Sequence, residues 1–247
     1  MFNLSRIFQN MPPIVKNLLL VNVIFFVAQF TLADFMRNLE LVPIFSEHFR
    51  PWQLATYFFM HGNLPHIFFN MFALIIFGTQ LERIWGPQKF LFFYLACAIG
   101  AALIHMLVGY IRLRGFEASI DPIILQDYLY YVKDEGYKLL MEGKNYRDPI
   151  LGKLNALYNT PMVGASGAIF GLLVAFGYTF PNTELMLLFP PIPIKAKYFV
   201  IGYAAIELYL GMANSPSDNV AHFAHLGGAL IGILIVLYWK KSRNSFF

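Results

Sequence analysis

The chain has 247 residues, of which 58% are hydrophobic and 13% charged. A soluble domain carries about 25% charged residues, so this chain cannot cover a water-facing surface and must meet lipid. Its net charge of +4 comes from Lys and Arg beside apolar runs, which is the pattern of membrane orientation and argues against a nucleic-acid partner.

The first apolar run, about Leu18–Ala33, follows Arg6 and Lys16. No small-x-small cleavage site follows it, so it reads as a retained first span. Met36–Gly62 is interrupted by charge and rich in aromatic rings, which suits the membrane interface. The second span is expected over Leu64–Leu81 and the third over Phe90–Tyr110. Residues 112–160 are polar and read as a folded insertion within a single membrane domain of residues 1–247. Leu125, Leu129 and Val132 in it are spaced for one helix face.

The fourth apolar segment, Val163–Phe180, is short and glycine-rich. Pro190, Pro191 and Pro193 then exclude a helix. The fifth span is expected over Tyr198–Met212 and the sixth over Val220–Trp239. The predicted fold is therefore an all-α membrane protein of six transmembrane helices, with an extra outer loop between helices 3 and 4. Arg6, Lys16, Arg83, Lys89, Lys195, Lys197, Lys240, Lys241 and Arg243 gather on one side of such a bundle, which puts both termini in the cytoplasm. The single cysteine, Cys97, has no internal disulfide partner and reads as a small packing residue.

Polar groups inside spans are costly unless they are paired or functional. Ser166 stands in Gly164-Ala165-Ser166-Gly167, at the start of its span. The flanking glycines let other groups approach, and free backbone N–H groups there suit a developing oxyanion. His225, Gly228 and Gly232 share one helix face. Gly228/Gly232 and Gly167/Gly171 are small-xxx-small pairs that allow close helix packing. A Ser–His hydrogen bond requires that closeness, although a structural histidine on a packed helix satisfies the same pattern. His66 and Asn70, at i and i+4, share a face. They serve either as oxyanion donors or as interhelical hydrogen bonds. Glu82, between Gly78 and Gly86, reads as architectural, bound to backbone N–H groups or to Arg83.

Gly-Ala-Ser-Gly on one span, Ala-His-x-x-Gly-x-x-x-Gly two spans later and His-x-x-x-Asn two spans earlier resemble the rhomboid protease family. Glu82 between its glycines is similar to that family's second-helix motif. The resemblance covers about Leu18–Trp239 without residues 112–160. It implies a rhomboid-like bundle and an intramembrane serine endopeptidase that cleaves transmembrane segments with a Ser–His dyad. It implies Ser166 as nucleophile and His225 as general base. His66, Asn70 and the Ser166 backbone N–H would stabilise the oxyanion, with Gly164, Gly167, Phe170, Gly171, Gly228, Gly232 and Glu82 in support. No third carboxylate is implied: Asp218 and Glu207 can be nominated as orienting acids, but their spacing supports neither.

Two positions depart from the family pattern. Trp52-Gln53 replaces a common Trp-Arg, so loop anchoring is expected to differ. Phe170 replaces a common tyrosine, so its ring can stack on the histidine without a hydroxyl. The expected partners are transmembrane substrates and the bilayer, with no cofactor and no metal, since neither HExxH nor a Cys/His ligand set is present. A bacterial cytoplasmic membrane is expected. The competing readings are a catalytically silent membrane-protein binder of the same fold and a small transporter, the latter suggested by Glu207 and the membrane glycines.

Overall fold

The computed structural model describes residues 10–187, 191–213 and 220–242. Arg6, Pro190, Asp218 and Arg243, used in the reading above, lie outside them. The principal helices are α1 (Pro13–Thr31), α2 (Leu64–Trp85), α3 (Pro87–Glu117), α4 (Pro122–Tyr131), α5 (Pro149–Asn159), α6 (Ser166–Thr179), α7 (Ala196–Ala213) and α8 (His222–Lys241). Of these, α1, α2, α3 and α8 are long and apolar enough to cross a bilayer, while α6 is apolar but only 14 residues long. The chain is an integral, multi-pass, mainly helical membrane protein.

Helix α6 sits at the centre, packed against α8, α3 and α7. Its buried residues run almost continuously from Gly167 to Gly177, as expected of a helix that is apolar all round. By contrast, α1 buries only Val15, Leu18 and Asn22, and α7 only Ala196, Glu207 and Gly211. Their outward faces carry Ile24, Val27 and Phe30, and Ile201, Ile206 and Tyr209. Apolar faces of this extent require lipid around them.

Two elements differ from the sequence expectation. Helix α3 does not stop at Tyr110 but continues to Glu117. Its 31 residues would reach about 46 Å at 1.5 Å per residue, well beyond a hydrocarbon core of about 30 Å. The polar residues after Tyr110 change the solvent around the helix without breaking its hydrogen bonds. Arg112 holds this extension to the bundle, donating to the Gly211 carbonyl and lying over the Phe223 ring at 4.7 Å.

The second difference is that the fold is not wholly α. Glu184–Met186 and Pro193–Lys195 form a two-stranded antiparallel hairpin, with Glu184 opposite Lys195. Of the prolines that exclude a helix, Pro193 opens the second strand, where an edge position tolerates it. The residues after α3, expected to fold with a helix face at Leu125, Leu129 and Val132, do not depart from that reading. They fold into α4, the short helix Tyr137–Met141 and α5. Leu113, Val132, Leu151, Leu154 and Tyr158 make a small separate core there, with Leu125 and Leu129 packed against it. Asp121 and Asp148 cap α4 and α5 by accepting first-turn N–H bonds. Asn155 and Asn159 donate to the carbonyls of Gly136 and Val132, and Ser46 donates to Asn159. Those bonds tie the polar segment to the first loop.

Candidate active site

The chain that leads into α6 is fixed from several sides. Leu41 and Met162 exchange backbone hydrogen bonds of 3.1 and 2.7 Å. The Gly164 N–H donates to the Tyr57 carbonyl at 3.0 Å, and the Tyr57 hydroxyl donates to the Ala98 carbonyl on α3 at 2.7 Å. Gln53, 2% exposed, anchors the first loop from inside. Its Oε1 accepts from the N–H groups of Arg50 and Val42, and its Nε2 donates to the carbonyls of His48 and Asn38. A neutral amide thus anchors this loop.

These contacts deliver Ser166 to the first position of α6, half-buried. Its Oγ lies 2.8 Å from His225 Nε2 on α8. Glycines make that approach possible. A Cβ at Gly228 would collide with the Gly167 carbonyl oxygen, and one at Gly232 would come within 2.9 Å of the Gly171 Cα. Gly167 lies against Ala101, and Gly171 against Cys97 Sγ. The Phe170 ring stacks on His225 at 4.3 Å with an interplanar angle of 5°. Tyr203 of α7 backs that ring at 4.8 Å.

His66 and Asn70 lie beside the same loop. Gly164 adopts φ of +117°, and a Cβ there would stand 2.6 Å from His66 Nε2 and 3.7 Å from Asn70 Nδ2. Only glycine meets both demands. His66 Nδ1 accepts the Gly62 N–H at 3.4 Å, so a neutral ring carries its proton on Nε2, the atom that faces Gly164. Asn70 is buried, and its Nδ2 has no hydrogen-bond partner among the described residues. An orphaned donor of this kind requires an explanation.

Glu82 lies at the opposite end of α2. Its two oxygens accept the Ile14 and Val15 N–H groups at 2.9 and 2.8 Å, the first-turn donors of α1. Arg83 reaches the Asn10 carbonyl instead.

One neighbour was nominated in the sequence without support from its spacing. Glu207 of α7, 4% exposed, places Oε2 2.8 Å from His225 Nδ1 and 2.6 Å from His222 Nδ1. The only signal in the sequence was a carboxylate inside an apolar run, which demands a partner. The side-chain ligand atoms of Glu207, His222 and His225 lie within 4.8 Å of one another. A divalent ion placed there would compete with both hydrogen bonds for one carboxylate.

Comparison with known proteins decides the family. The Rhomboid domain model matches residues 48–115 and 138–242. The chain belongs to the rhomboid family. It is 28% identical over 220 residues to RHOMBOID-like protein 12, mitochondrial, of Arabidopsis thaliana, covering 88% of this chain and 54% of that protein. Rhomboid protease AarA of Providencia stuartii is 27% identical over 191 residues, covering 74% of this chain and 54% of its own. Rhomboid protease GluP of Bacillus subtilis is 29% identical over 181 residues, covering 73% and 24%. The chain spans about half the length of the first two of these rhomboid relatives. The family thus includes named proteases.

Proposed function

We propose that the protein is an intramembrane serine endopeptidase that cleaves transmembrane segments, with Ser166 as nucleophile and His225 as general base. The observation that carries this reading is the 2.8 Å contact between Ser166 Oγ and His225 Nε2, within the range of a nucleophile–base pair. His225 takes the hydroxyl proton as Oγ attacks the scissile carbonyl carbon. The resulting oxyanion has three donors at hand: the Ser166 backbone N–H, unpaired by its first-turn position, the orphaned Asn70 amide and His66 Nε2. His225 then passes the proton to the leaving amine and, in deacylation, takes one from water. Gly164, Gly167, Gly171, Gly228 and Gly232 hold the backbones close, Phe170 holds the ring, and Glu82 fixes α1.

In the same reading α1, α2, α3, α6, α7 and α8 are six crossings, with both termini on the Lys/Arg-rich side of the membrane and the 112–160 segment on the opposite side. The substrates are membrane proteins whose helix unwinds near its outer end. A bacterial cytoplasmic membrane, expected from the sequence, gains no support from relatives that include a mitochondrial protein beside bacterial ones. We therefore assign a multi-pass membrane location without a compartment.

The test is fluorophosphonate labelling of detergent-purified protein, together with cleavage of a single-span model substrate. Wild type should label at Ser166 and cleave, while folded Ser166→Ala and His225→Ala should do neither. A well-folded wild type that neither labels nor cleaves in lipid would replace this reading with the silent membrane-protein binder.

A further inference from the structure

We infer that Glu207 is the positioning residue for His225, so that the dyad of the proposed function operates as a Ser166–His225–Glu207 relay with His222 as a second brace. This rests on the protease reading and deepens it.

The argument begins with what a carboxylate can do. An ionised carboxylate only accepts hydrogen bonds. Glu207 Oε2 lies 2.8 Å from His225 Nδ1 and 2.6 Å from His222 Nδ1, so both Nδ1 atoms carry hydrogen and donate. A neutral His225 with its proton on Nδ1 has its lone pair on Nε2. That is the atom 2.8 Å from Ser166 Oγ, so the tautomer selected by Glu207 is the one able to accept the serine proton. The opposite tautomer would turn an N–H toward the hydroxyl and could not act as a base.

The ring is also fixed in orientation. Phe170 covers one face at 4.3 Å, which limits tilting, and the Nδ1 bond limits spinning about the Cβ–Cγ axis. When Nε2 takes the proton, the imidazolium lies in direct contact with the carboxylate, which stabilises the charge as it forms. In a buried site such a charge is costly without a partner. No proton passes to Glu207 in this scheme. Nδ1 keeps its hydrogen, and the proton taken at Nε2 leaves with the amine.

His222 accounts for how a residue of a different helix is held in register. It lies three positions before His225, so both imidazoles point from one face of α8 and converge on one oxygen of α7. Two donors on different turns define the position of the carboxylate more closely than one. The arrangement also gives the loosely packed α7 a specific polar attachment to α8. Gly211 provides the room, because a Cβ there would stand 3.1 Å from the His222 Cβ and 3.0 Å from the Phe223 ring.

The experiment uses the full chain in detergent or lipid, with the single-span substrate, and measures kcat and KM separately for wild type, Glu207→Gln and Glu207→Asp. Thermal unfolding confirms that each variant is folded. The glutamine amide can donate to Nδ1 and stabilise the wrong tautomer. Its kcat should fall about a thousandfold or more, by analogy with loss of the orienting carboxylate in a serine triad. KM should change by less than about threefold, since no substrate contact is lost. Fluorophosphonate labelling at Ser166 should slow in parallel. Aspartate keeps the charge but sets it back by one methylene, so its kcat should lie between the two. A purely structural role would instead move stability and leave kcat per folded molecule intact.

If Glu207→Gln does not fold, Glu207→Asp decides alone: a kcat lowered about tenfold or more at unchanged KM supports the relay, and a wild-type kcat overturns it. A wild-type kcat in folded Glu207→Gln, with Ser166→Ala still inactive, overturns the relay and leaves the protease reading standing. Loss of wild-type turnover on dialysis against a chelator, restored by Zn2+, would assign Glu207, His222 and His225 to an ion and also overturn it. Absence of any wild-type cleavage removes both.

Discussion

Glu82 and Glu207 are both buried carboxylates on apolar helices, 2% and 4% exposed, and each accepts two N–H hydrogen bonds. Glu82 takes its pair from the backbone of Ile14 and Val15. Glu207 takes its pair from the imidazoles of His222 and His225. The difference lies in the donors. Backbone N–H groups neither rotate nor exchange a proton with a substrate, so a carboxylate on them can only hold a helix end, where it also meets the positive end of the dipole. His225, bound to the carboxylate at Nδ1, turns Nε2 to Ser166 Oγ, where it can react. Two sites of equal burial and equal hydrogen-bond count are thus suited to opposite tasks, and only the nature of the donor distinguishes them.

The largest expected effect removes the condition on which the Glu207 site depends. In Gly228→Ala the added Cβ meets the Gly167 carbonyl oxygen, a backbone atom that cannot swing away. Helix α8 must therefore move off α6 and carry His225 from Ser166. The loss should exceed the 1–3 kcal/mol typical of overpacking, and labelling of Ser166 should vanish in whatever fraction still folds. Retention-volume and thermal-melt comparison with wild type measures the first effect, and probe labelling the second. Glu82→Ala sharpens the comparison from the other side. It leaves two first-turn N–H groups of α1 without acceptor and removes a favourable dipole contact, at a cost of about 2–4 kcal/mol in unfolding free energy. Labelling at Ser166 per folded molecule should stay within about twofold of wild type. A variant that kept its stability but lost labelling would mean that Glu82 serves the chemistry, and the contrast would collapse.

Sequence reasoning reached these two sites unequally, for a physical reason. The motifs around Ser166, His225, His66 and Glu82 are written within single helices, where spacing of three or four residues reports a shared face. The contact of Glu207 with His225 joins α7 to α8, and no spacing along the chain encodes how two helices lie against each other. The cost of Glu207 in an apolar run was legible, but its partner was not. The end of α3 was missed similarly. Arg112 and Arg114 mark where the apolar run stops, but both are good helix formers, and the helix continues through them to Glu117. Phe170 is the reverse case: its stacking on His225 was implied by the resemblance, which places a ring one turn after the serine, and not by spacing.

Phe170 offers a smaller test of the Glu207 side. Phe170→Ala removes the ring that lies parallel to His225 at 4.3 Å and leaves the Nδ1 bond to Glu207 in place. If the carboxylate supplies most of the orientation, kcat should fall only about tenfold, and Phe170→Tyr should stay near wild type. A fall of a hundredfold or more, as a displacement of about 1 Å can cause, would shift the orienting role from Glu207 to the ring.

Glu40 supplies the third term of the comparison, a carboxylate with neither kind of donor. It is half-buried in the first loop and takes no side-chain hydrogen bond among the described residues. Burial raises its pKa to about 7 from 4.5, and the nearby Arg37 charge opposes this only in part. The folded state therefore holds this proton more tightly than the unfolded chain. Below about pH 4.5 both states are protonated, and Glu40 imposes no penalty. Between 4.5 and 7 the unfolded chain releases the proton first, so stability falls as pH rises, and it levels off above that window. Glu40→Gln removes this slope. The variant should match wild type at pH 4.5 and exceed it at pH 8 by about 1 kcal/mol or less, a difference kept small by solvent screening. Melting curves of the two proteins across that range measure the difference directly. A wild type that gained stability relative to Glu40→Gln as pH rose would mean that Glu40 does have a donor, and that it belongs with Glu82.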